Sequence, residues 1–292
     1  MLVTGAGGFV GRALTSALRA RGVEVLTAEG LLGRRGDLLD ASERRSLITA
    51  AHADTLIHLA WTTGHGAFWT CPSNDAWSNA SAELFRAFYA RGGRRVVGVG
   101  TCAEYDWTAA DAPLREDAPL RPHTAYGAAK ARAAEALLDA ATRAGAEAAW
   151  ARAFLLLGAG EPAQRLVPAM IDAALSGGRI DCGPGGTERD LWSVETLGLA
   201  LADLSLSTLS GAINLASGRR TRFDALAGMI ERACGTSGAI RCGARPLRAG
   251  EPARLVADAG RMRRELGFRD PGSLEGAIAD YVATRRAEIT AV

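Results

Sequence analysis

The sequence predicts an α/β fold with a doubly wound parallel sheet and a smaller, irregular α/β lobe at its C-terminal end. Short apolar runs at 2–4, 23–28, 55–60, 95–100 and 148–157 have the uniform hydrophobicity of parallel strands that are buried on both faces. Segments with helical spacing of apolar residues alternate with them at 11–21, 42–51, 74–91 and 125–145. Strict alternation of strand and helix implies right-handed crossovers and hence a doubly wound sheet.

The pattern changes after Gly158. Segments interrupted by glycine and proline follow, and then helical stretches at 223–234, 260–266 and 274–286. A strand at 212–216 is expected to return to the main sheet. We therefore predict two lobes, 1–158 and 159–292, which form one compact unit with a cleft between them.

Composition and charge exclude several classes of protein. The 34 basic and 32 acidic side chains give a formal charge of +2, which provides no field for a nucleic-acid or membrane partner. The sequence has no run of about 18 uncharged apolar residues and no secretion signal at its start. Five widely spaced cysteines indicate reduced thiols and a cytoplasmic protein. The scattered histidines lack ligands at metal-binding spacing, so no metal site is predicted.

A glycine-rich turn joins the first strand to the first helix. The segment TGAGGFVG at 4–11 contains Gly5, Gly8 and Gly11, which suit a tight turn, a close approach to a pyrophosphate and close helix packing. The N-terminus of the following helix offers free N–H groups to an anion. The sequence therefore predicts a Rossmann dinucleotide-binding domain over 1–158 and a substrate-binding lobe over 159–292, with a purely structural glycine turn as the alternative.

The second strand bears on the choice of dinucleotide. Glu29 lies 18 residues beyond Gly11, where a carboxylate accepts hydrogen bonds from ribose hydroxyls and repels a 2′-phosphate. Arg34 and Arg35 follow in a glycine-rich stretch and could hold that phosphate. We therefore favour NAD(H) and keep NADP(H) open.

A tyrosine and a lysine are expected to share one face of the helix predicted at 125–145. Tyr126 and Lys130 are four residues apart, and Lys130 is the one lysine among 34 basic residues. Arginine cannot replace an amine whose pKa must respond to its surroundings. The ammonium is expected to lower the pKa of Tyr126, so that the phenol serves as acid or base. Thr101, at a strand end, is expected to hydrogen-bond the substrate oxygen beside that phenol.

Several further motifs accompany these residues. They are the GDL stretch at 36–38, His58-Leu59-Ala60, Asn79, Gly100-Thr101 followed by Tyr105, Arg189-Asp190, and Asp258 before Leu266-Gly267. Together with the glycine turn and Tyr126-x-x-x-Lys130, they resemble the extended short-chain dehydrogenase/reductase family, in its NAD-dependent epimerase/dehydratase branch. That resemblance covers nearly the whole chain and implies an enzyme that acts on nucleotide sugars.

The resemblance implies a role for each matching residue. The implied catalytic set is Thr101, Tyr126 and Lys130. The implied cofactor contacts are Gly5, Gly8, Phe9, Val10, Gly11, Glu29, Asp37, Leu38, Leu59, Ala60 and Lys130. Arg189 and Arg248 are the implied ligands of the substrate diphosphate, with Thr101 at the sugar. A homodimer through the helices at 74–91 and 125–145 is also implied. Small and apolar surface for it is provided by Ala131, Ala134, Leu137 and Leu138, although packing on the sheet would explain these residues equally well.

Two departures from the family pattern bear on the reaction. Leu155 stands where the family offers an asparagine amide to the nucleotide sugar. Cys102-Ala103 replaces the Asp-Glu pair of the 4,6-dehydratases, so dehydration is not expected, and Cys102 is expected to be a small buried residue. Glu104 is a carboxylate without an assigned role.

Three segments look most like those of deoxysugar 4-ketoreductases: His58-Leu59-Ala60-Trp61, the following aromatic and histidine-bearing loop at 62–77, and the segment at 100–107. In such an enzyme Tyr126 would protonate the reduced C4 oxygen. A nucleotide-sugar 4-epimerase that retains its NAD is the runner-up. A dinucleotide-binding sensor or scaffold without turnover is the alternative from another class of protein.

Overall fold

The structure is a computed structural model that describes residues 1–64, 66–109, 112–247 and 250–290. Its strands are β1 (Leu2–Thr4), β2 (Leu26–Thr27), β3 (Thr55–His58), β4 (Arg95–Thr101), β5 (Glu147–Ala153), β6 (Leu155–Leu157), β7 (Ile180–Asp181), β8 (Glu188–Arg189), β9 (Leu191–Ser193), β10 (Gly211–Leu215), β11 (Thr221–Arg222), β12 (Ile240–Arg241) and β13 (Arg254–Leu255). Its α-helices are α1 (Phe9–Ala20), α2 (Ala28–Leu32), α3 (Ala41–Ala50), α4 (Ser73–Ala90), α5 (Ala125–Ala144), α6 (Leu166–Leu175), α7 (Val194–Leu206), α8 (Phe223–Cys234), α9 (Gly260–Arg264) and α10 (Leu274–Thr290).

The main sheet has the predicted parallel, doubly wound arrangement. Six strands run in the order β10-β5-β4-β3-β1-β2, and every neighbouring pair is parallel. The strand predicted at 212–216 is β10, which pairs with β5 at one edge of the sheet. The predicted fold class is therefore confirmed.

Helices cover both faces of the sheet because successive strand residues point in opposite directions. Val3 and Val97 lie in the core cluster that contains α1 and α7. Their neighbours Leu2 and Val96 lie in the cluster that contains α3, α4 and α5. Both helical layers therefore pack on strands that are apolar on the two faces, as a buried parallel sheet requires.

The strand predicted at 148–157 is wrong, because it is two strands in different sheets. β5 ends at Ala153, and β6 pairs with β9 instead of continuing in the main sheet. Between them Phe154 turns into a separate core cluster with Tyr105 and Leu255. Hydrophobicity alone does not reveal this change of sheet, since all these positions are apolar.

The strand predicted at 23–28 is also largely wrong. Only Leu26 and Thr27 form β2, and the short helix α2 begins directly afterwards. Thr27 caps that helix, because its hydroxyl accepts a hydrogen bond from the N–H of Gly30 at 3.1 Å. Glu29 consequently lies in the first turn of α2 rather than at the end of a strand.

The residues after Gly158 contribute to both parts of the molecule. α7, which the sequence analysis did not predict, packs with α1 on the main sheet. The helices α6, α8 and α10 share a separate core cluster. Short sheets, β11-β8-β13 and β12-β7, accompany them. None of the helices in the described ranges is long and apolar enough to cross a membrane.

Asp190 ties three of these segments together. It is fully buried, and one carboxylate oxygen accepts hydrogen bonds from the N–H and hydroxyl of Ser217. The other oxygen accepts from the N–H groups of Gly218 and Ala257. The loop after β10 and the segment after β13 are therefore both anchored to the residue between β8 and β9.

Asp190→Asn tests this anchor. In either orientation the NH2 group of asparagine would face an N–H donor, of Ser217 or of Gly218 and Ala257, so at least one buried donor loses its acceptor. We expect a loss of about 2 kcal/mol or more in the free energy of unfolding, measured by urea titration. The control Asp203→Asn removes a partner from the surface ion pair with Arg21 and should cost less than about 0.5 kcal/mol. Equal stability of the two variants would contradict the assignment.

Candidate active site

The glycine turn forms a tight cradle against the end of β3. Gly5 has a left-handed backbone with φ of 72°, and a Cβ at this position would lie 2.8 Å from the nitrogen of Ala60. A Cβ on Gly11 would lie 2.1 Å from the carbonyl oxygen of Gly5. Both positions therefore exclude a side chain, and Leu59 and Ala60 lie directly beside the turn.

The first turn of α1 points open N–H groups out of this cradle. Gly8 is the N-cap and provides no side-chain acceptor, while its own N–H donates to the carbonyl of Gly5 at 3.0 Å. The N–H groups of the first helical turn, including Phe9 and Val10, have no partner within the helix. Geometry and dipole together suit a pyrophosphate, so these residues fit the dinucleotide that the sequence predicts.

The segment after β2 carries the other predicted cofactor contacts. Glu29 is exposed on α2, whereas Leu38 is buried in the core. The N–H of Leu39 donates to the carboxylate of Asp37 at 2.9 Å. Arg34 forms an ion pair with Glu43 at 2.7 Å, so its guanidinium is already bound to a carboxylate and is not available to a 2′-phosphate.

The predicted catalytic residues meet where β4 ends and α5 begins. The phenol of Tyr126 lies near the side chain of Thr101, whose influence favours the phenolate and acts to lower the pKa of Tyr126. The amino group of Lys130 donates to the carbonyl of Val99 at 2.8 Å and lies 6.0 Å from the centre of the Tyr126 ring. Strand and helix therefore place hydroxyl, phenol and amine together, as the spacing predicts.

Burial dominates the acid–base properties of this group. Desolvation, with the negative charge of Glu104 next, raises the pKa of Tyr126. Desolvation lowers the pKa of Lys130 to about 7, and Glu104 partly opposes that effect. The net pKa of Tyr126 is therefore raised, opposite to the direction expected from the neighbouring Lys130, because the loss of water dominates.

Aromatic side chains from the segment after β3 enclose the tyrosine. Ring centres of Phe68, Trp69 and Trp61 lie 4.9, 5.8 and 6.2 Å from that of Tyr126, all edge to face. The N–H of Tyr126 also donates to the carbonyl of Trp69 at 3.1 Å. This aromatic wall leaves the Tyr126 side chain buried beside Thr101.

Comparison with known proteins gives the family. The model of the NAD dependent epimerase/dehydratase family matches residues 1–201 of the 292. The chain belongs to that family. The predicted resemblance, enzyme class and type of cofactor are thereby confirmed at the level of the family.

Individual relatives carry out more than one reaction. UDP-glucose 4-epimerase of Azospirillum brasilense is 28% identical over 92% of this chain and 86% of its own length. dTDP-6-deoxy-L-talose 4-dehydrogenase (NAD(P)(+)) of Kitasatospora kifunensis is 30% identical over 60% of this chain and 59% of its own length. The solved structure of MoeE5 in complex with UDP-glucose and NAD superposes with a TM-score of 0.85 and 26% identity, covering 99% of both chains.

The arginines that family resemblance assigns to the substrate are placed unequally. Arg189 is buried, donates to Glu251 at 2.7 Å, and lies over the ring of Phe223. The positive charge of Arg189 also opposes the rise in the pKa of the Cys102 thiol, because the guanidinium lies near the end of β4. Arg248 lies outside the described residues. Sequence reasoning did not identify Arg165, whose positive charge partly opposes the rise in the pKa of Tyr126.

A cavity of about 420 Å³ lies away from the predicted catalytic residues. It lies between the start of α7 and the start of α10, and its lining includes Trp192, Glu195 and Tyr281. None of the three predicted catalytic residues lines it. The reacting centre is therefore assigned by the arrangement of the side chains rather than by this cavity.

Glu104 has a structural role that the sequence analysis left open. Its carboxylate accepts from the N–H of Thr101 at 2.8 Å and from the indole of Trp150 at 3.0 Å, and it pairs with Arg152 at 2.8 Å. The hydroxyl of Thr101 in turn accepts from the N–H of Ala103, which completes a capping box. The Thr-x-x-Glu spacing is the sequence signal for this arrangement. Cys102 is buried, as predicted, and burial raises the pKa of its thiol to about 12.

Glu104→Gln tests whether this carboxylate supports the end of β4. The substitution leaves the buried guanidinium of Arg152 without its carboxylate, so we expect a loss of about 3 kcal/mol or more in the free energy of unfolding. Asp139→Asn, which breaks the exposed pair with Arg143, is the matched control and should cost less than about 0.5 kcal/mol. Urea titration of both variants makes the comparison, and a Glu104→Gln protein as stable as the control would contradict this role.

Proposed function

We propose that this protein uses NAD to oxidise and reduce the C4 position of a hexose linked to a nucleoside diphosphate, and that the net reaction is 4-epimerisation. The observation that carries the proposal is the meeting of Thr101, Tyr126 and Lys130 at the end of β4. The relative that matches over 92% of this chain is a UDP-glucose 4-epimerase, which supports the reaction.

The residues of the glycine turn would hold the cofactor. Gly5, Gly8 and the first turn of α1 would bind the pyrophosphate, and Leu59 and Ala60 would line its path toward Tyr126. Bound NAD supplies the acceptor and donor for the hydrogen on C4. The exposed carboxylate of Glu29 and the engagement of Arg34 by Glu43 both favour NAD over NADP.

The side chains would divide the proton chemistry among them. Tyr126 would take the proton of the C4 hydroxyl during oxidation and return one during reduction. Thr101 would hydrogen-bond the same oxygen and hold it beside the phenol. The positive charge of Lys130 would favour the phenolate at the moment when Tyr126 gives up its proton.

The substrate end of the site involves the arginines. Arginine side chains suit the oxygens of a diphosphate. We propose that Arg189 and Arg248 bind this group, which requires the ion pair of Arg189 with Glu251 to open.

Reduction of a 4-keto sugar is the second candidate reaction. The relative dTDP-6-deoxy-L-talose 4-dehydrogenase favours it, although the match covers 60% of this chain. The same three side chains would serve, and the difference lies in the supply of reduced cofactor from solution. A ketoreductase consumes NAD(P)H, whereas an epimerase consumes none.

We also propose a cytoplasmic homodimer. All five cysteines are free thiols, which suits a reducing compartment.

Ala134 and Leu137 pack in the core, so they face inward, while Leu138 is 37% exposed on α5. The helices α4 and α5 remain the proposed dimer face.

Incubation with NAD and a set of UDP- and dTDP-linked hexoses, followed by proton NMR, tests the function. We expect interconversion of one pair of C4 epimers without accumulation of NADH. Consumption of NADH or NADPH with a 4-keto sugar would replace the epimerase by the ketoreductase. Dinucleotide binding without turnover of any member of the set would favour the sensor or scaffold instead.

Tyr126→Phe tests the acid–base residue. Removal of the phenol oxygen should lower kcat by about 100-fold or more, since general acid–base groups contribute about 10² to 10⁴. Binding of NADH, followed by its fluorescence, should be unchanged. Tyr89→Phe is the matched control, because Tyr89 is buried and donates to the carbonyl of Glu147, away from the site. Full turnover by Tyr126→Phe would eliminate the proposed role.

A further inference from the structure

The surroundings of Lys130 contain an indole that no motif assigns. The amino nitrogen of Lys130 lies 4.0 Å from the centre of the Trp61 ring, against 6.0 Å for the rings of Tyr126 and Trp150. A distance of this size over an indole face is that of a cation–π contact. Apart from this ring, the amino group has the carbonyl of Val99 as its hydrogen-bond acceptor.

Trp61 is itself held in place by its neighbours. Its indole N–H donates to Asn74 at 2.9 Å, and its ring stacks on Trp77 with centres 6.0 Å apart. Asn74 is buried and donates to the carbonyls of Phe68 and Cys71. The indole face is therefore fixed over the amine by the segment that also encloses Tyr126.

The charged groups around Lys130 do not account for a stable ammonium. Glu104 attracts it, but this carboxylate is bonded to Thr101, Trp150 and Arg152. His58 lies within electrostatic range, and burial together with Lys130 lowers its pKa to about 3, so it carries no charge. Neither group makes a direct ion pair with the lysine.

We propose that Trp61 is a positioning residue that keeps Lys130 charged beside Tyr126 through a cation–π contact. Burial disfavours the ammonium, and the negative face of the indole opposes that effect without bringing a carboxylate next to the phenol. The inference rests on the proposed role of Lys130 and adds a second residue through which the phenolate is stabilised. An aromatic face suits this place because a carboxylate would repel the phenolate that the ammonium must support.

The single lysine of the sequence makes the proposal directly measurable. Growth with ¹³C,¹⁵N-labelled lysine labels a single side chain, that of Lys130, and the chemical shift of its Cε–Nζ group can be followed across pH. Trp61→Leu removes the aromatic face and should lower the pKa of Lys130 by about one unit or more. Trp61→Phe keeps a weaker face and should lower it by a smaller amount.

The sign of the shift separates the proposal from simple coverage by a bulky side chain. If Trp61 acted only by excluding water, Trp61→Leu would hydrate the amine and raise its pKa. Trp69→Leu makes the same change in the same segment, at a side chain that contacts Tyr126, and should leave the Lys130 signal unchanged. An unchanged or raised pKa in Trp61→Phe and Trp61→Leu would overturn the proposal, and Trp61→Phe decides the matter if the leucine variant does not fold.

Activity provides a second, independent readout. The Trp61→Leu substitution should lower kcat and leave KM unchanged. The decrease in kcat should be greater at high pH, because Lys130 without the indole face loses its proton at a lower pH than in the original protein. The titration of Lys130 needs no substrate, so it decides on Trp61 even if the protein turns over none of the sugars. Failure of the proposed function and failure of this inference are therefore separate results.

Discussion

The buried amino group of Lys130 is the constraint on which the site depends. An ammonium in a dry environment is costly, and here it has one carbonyl and one indole face as close partners. The carbonyl belongs to Val99 in β4, two residues before Thr101. The position of the amine therefore fixes α5, which carries Tyr126, against the strand that carries Thr101.

A buried ion pair also supports the end of this strand. Glu104 and Arg152 neutralise each other, and the carboxylate also holds the N–H of Thr101. Glycine at position 100 leaves room for this arrangement, because a Cβ there would lie 2.2 Å from both Glu104 and Trp150. Two charged groups that are expensive to bury thus determine where the end of β4 lies, which is consistent with a site built for precision rather than for stability.

Sequence reasoning predicted the parts of this molecule that follow from local rules. The glycine turn, the Tyr126–Lys130 spacing and the return of the strand near 212 each depend on a few neighbouring residues or on hydrophobic periodicity. The change of sheet after Ala153 and the contact of Trp61 with Lys130 depend on residues far apart in the chain, so no local pattern reveals them. The pKa of Tyr126 was predicted in the wrong direction because spacing indicates the nearby charge but not the loss of water. Glu104 was recoverable, since its capping-box spacing with Thr101 is visible in the sequence.

Mass spectrometry of the nucleotide released by denaturing the purified protein tests the central claim most directly. An enzyme that oxidises and reduces the same sugar has no need to exchange its cofactor between the two steps. We expect NAD, in about equal amount to the chain. A protein that releases no nucleotide and afterwards binds NADPH in preference to NADH would contradict both the epimerase and the interpretation of Glu29.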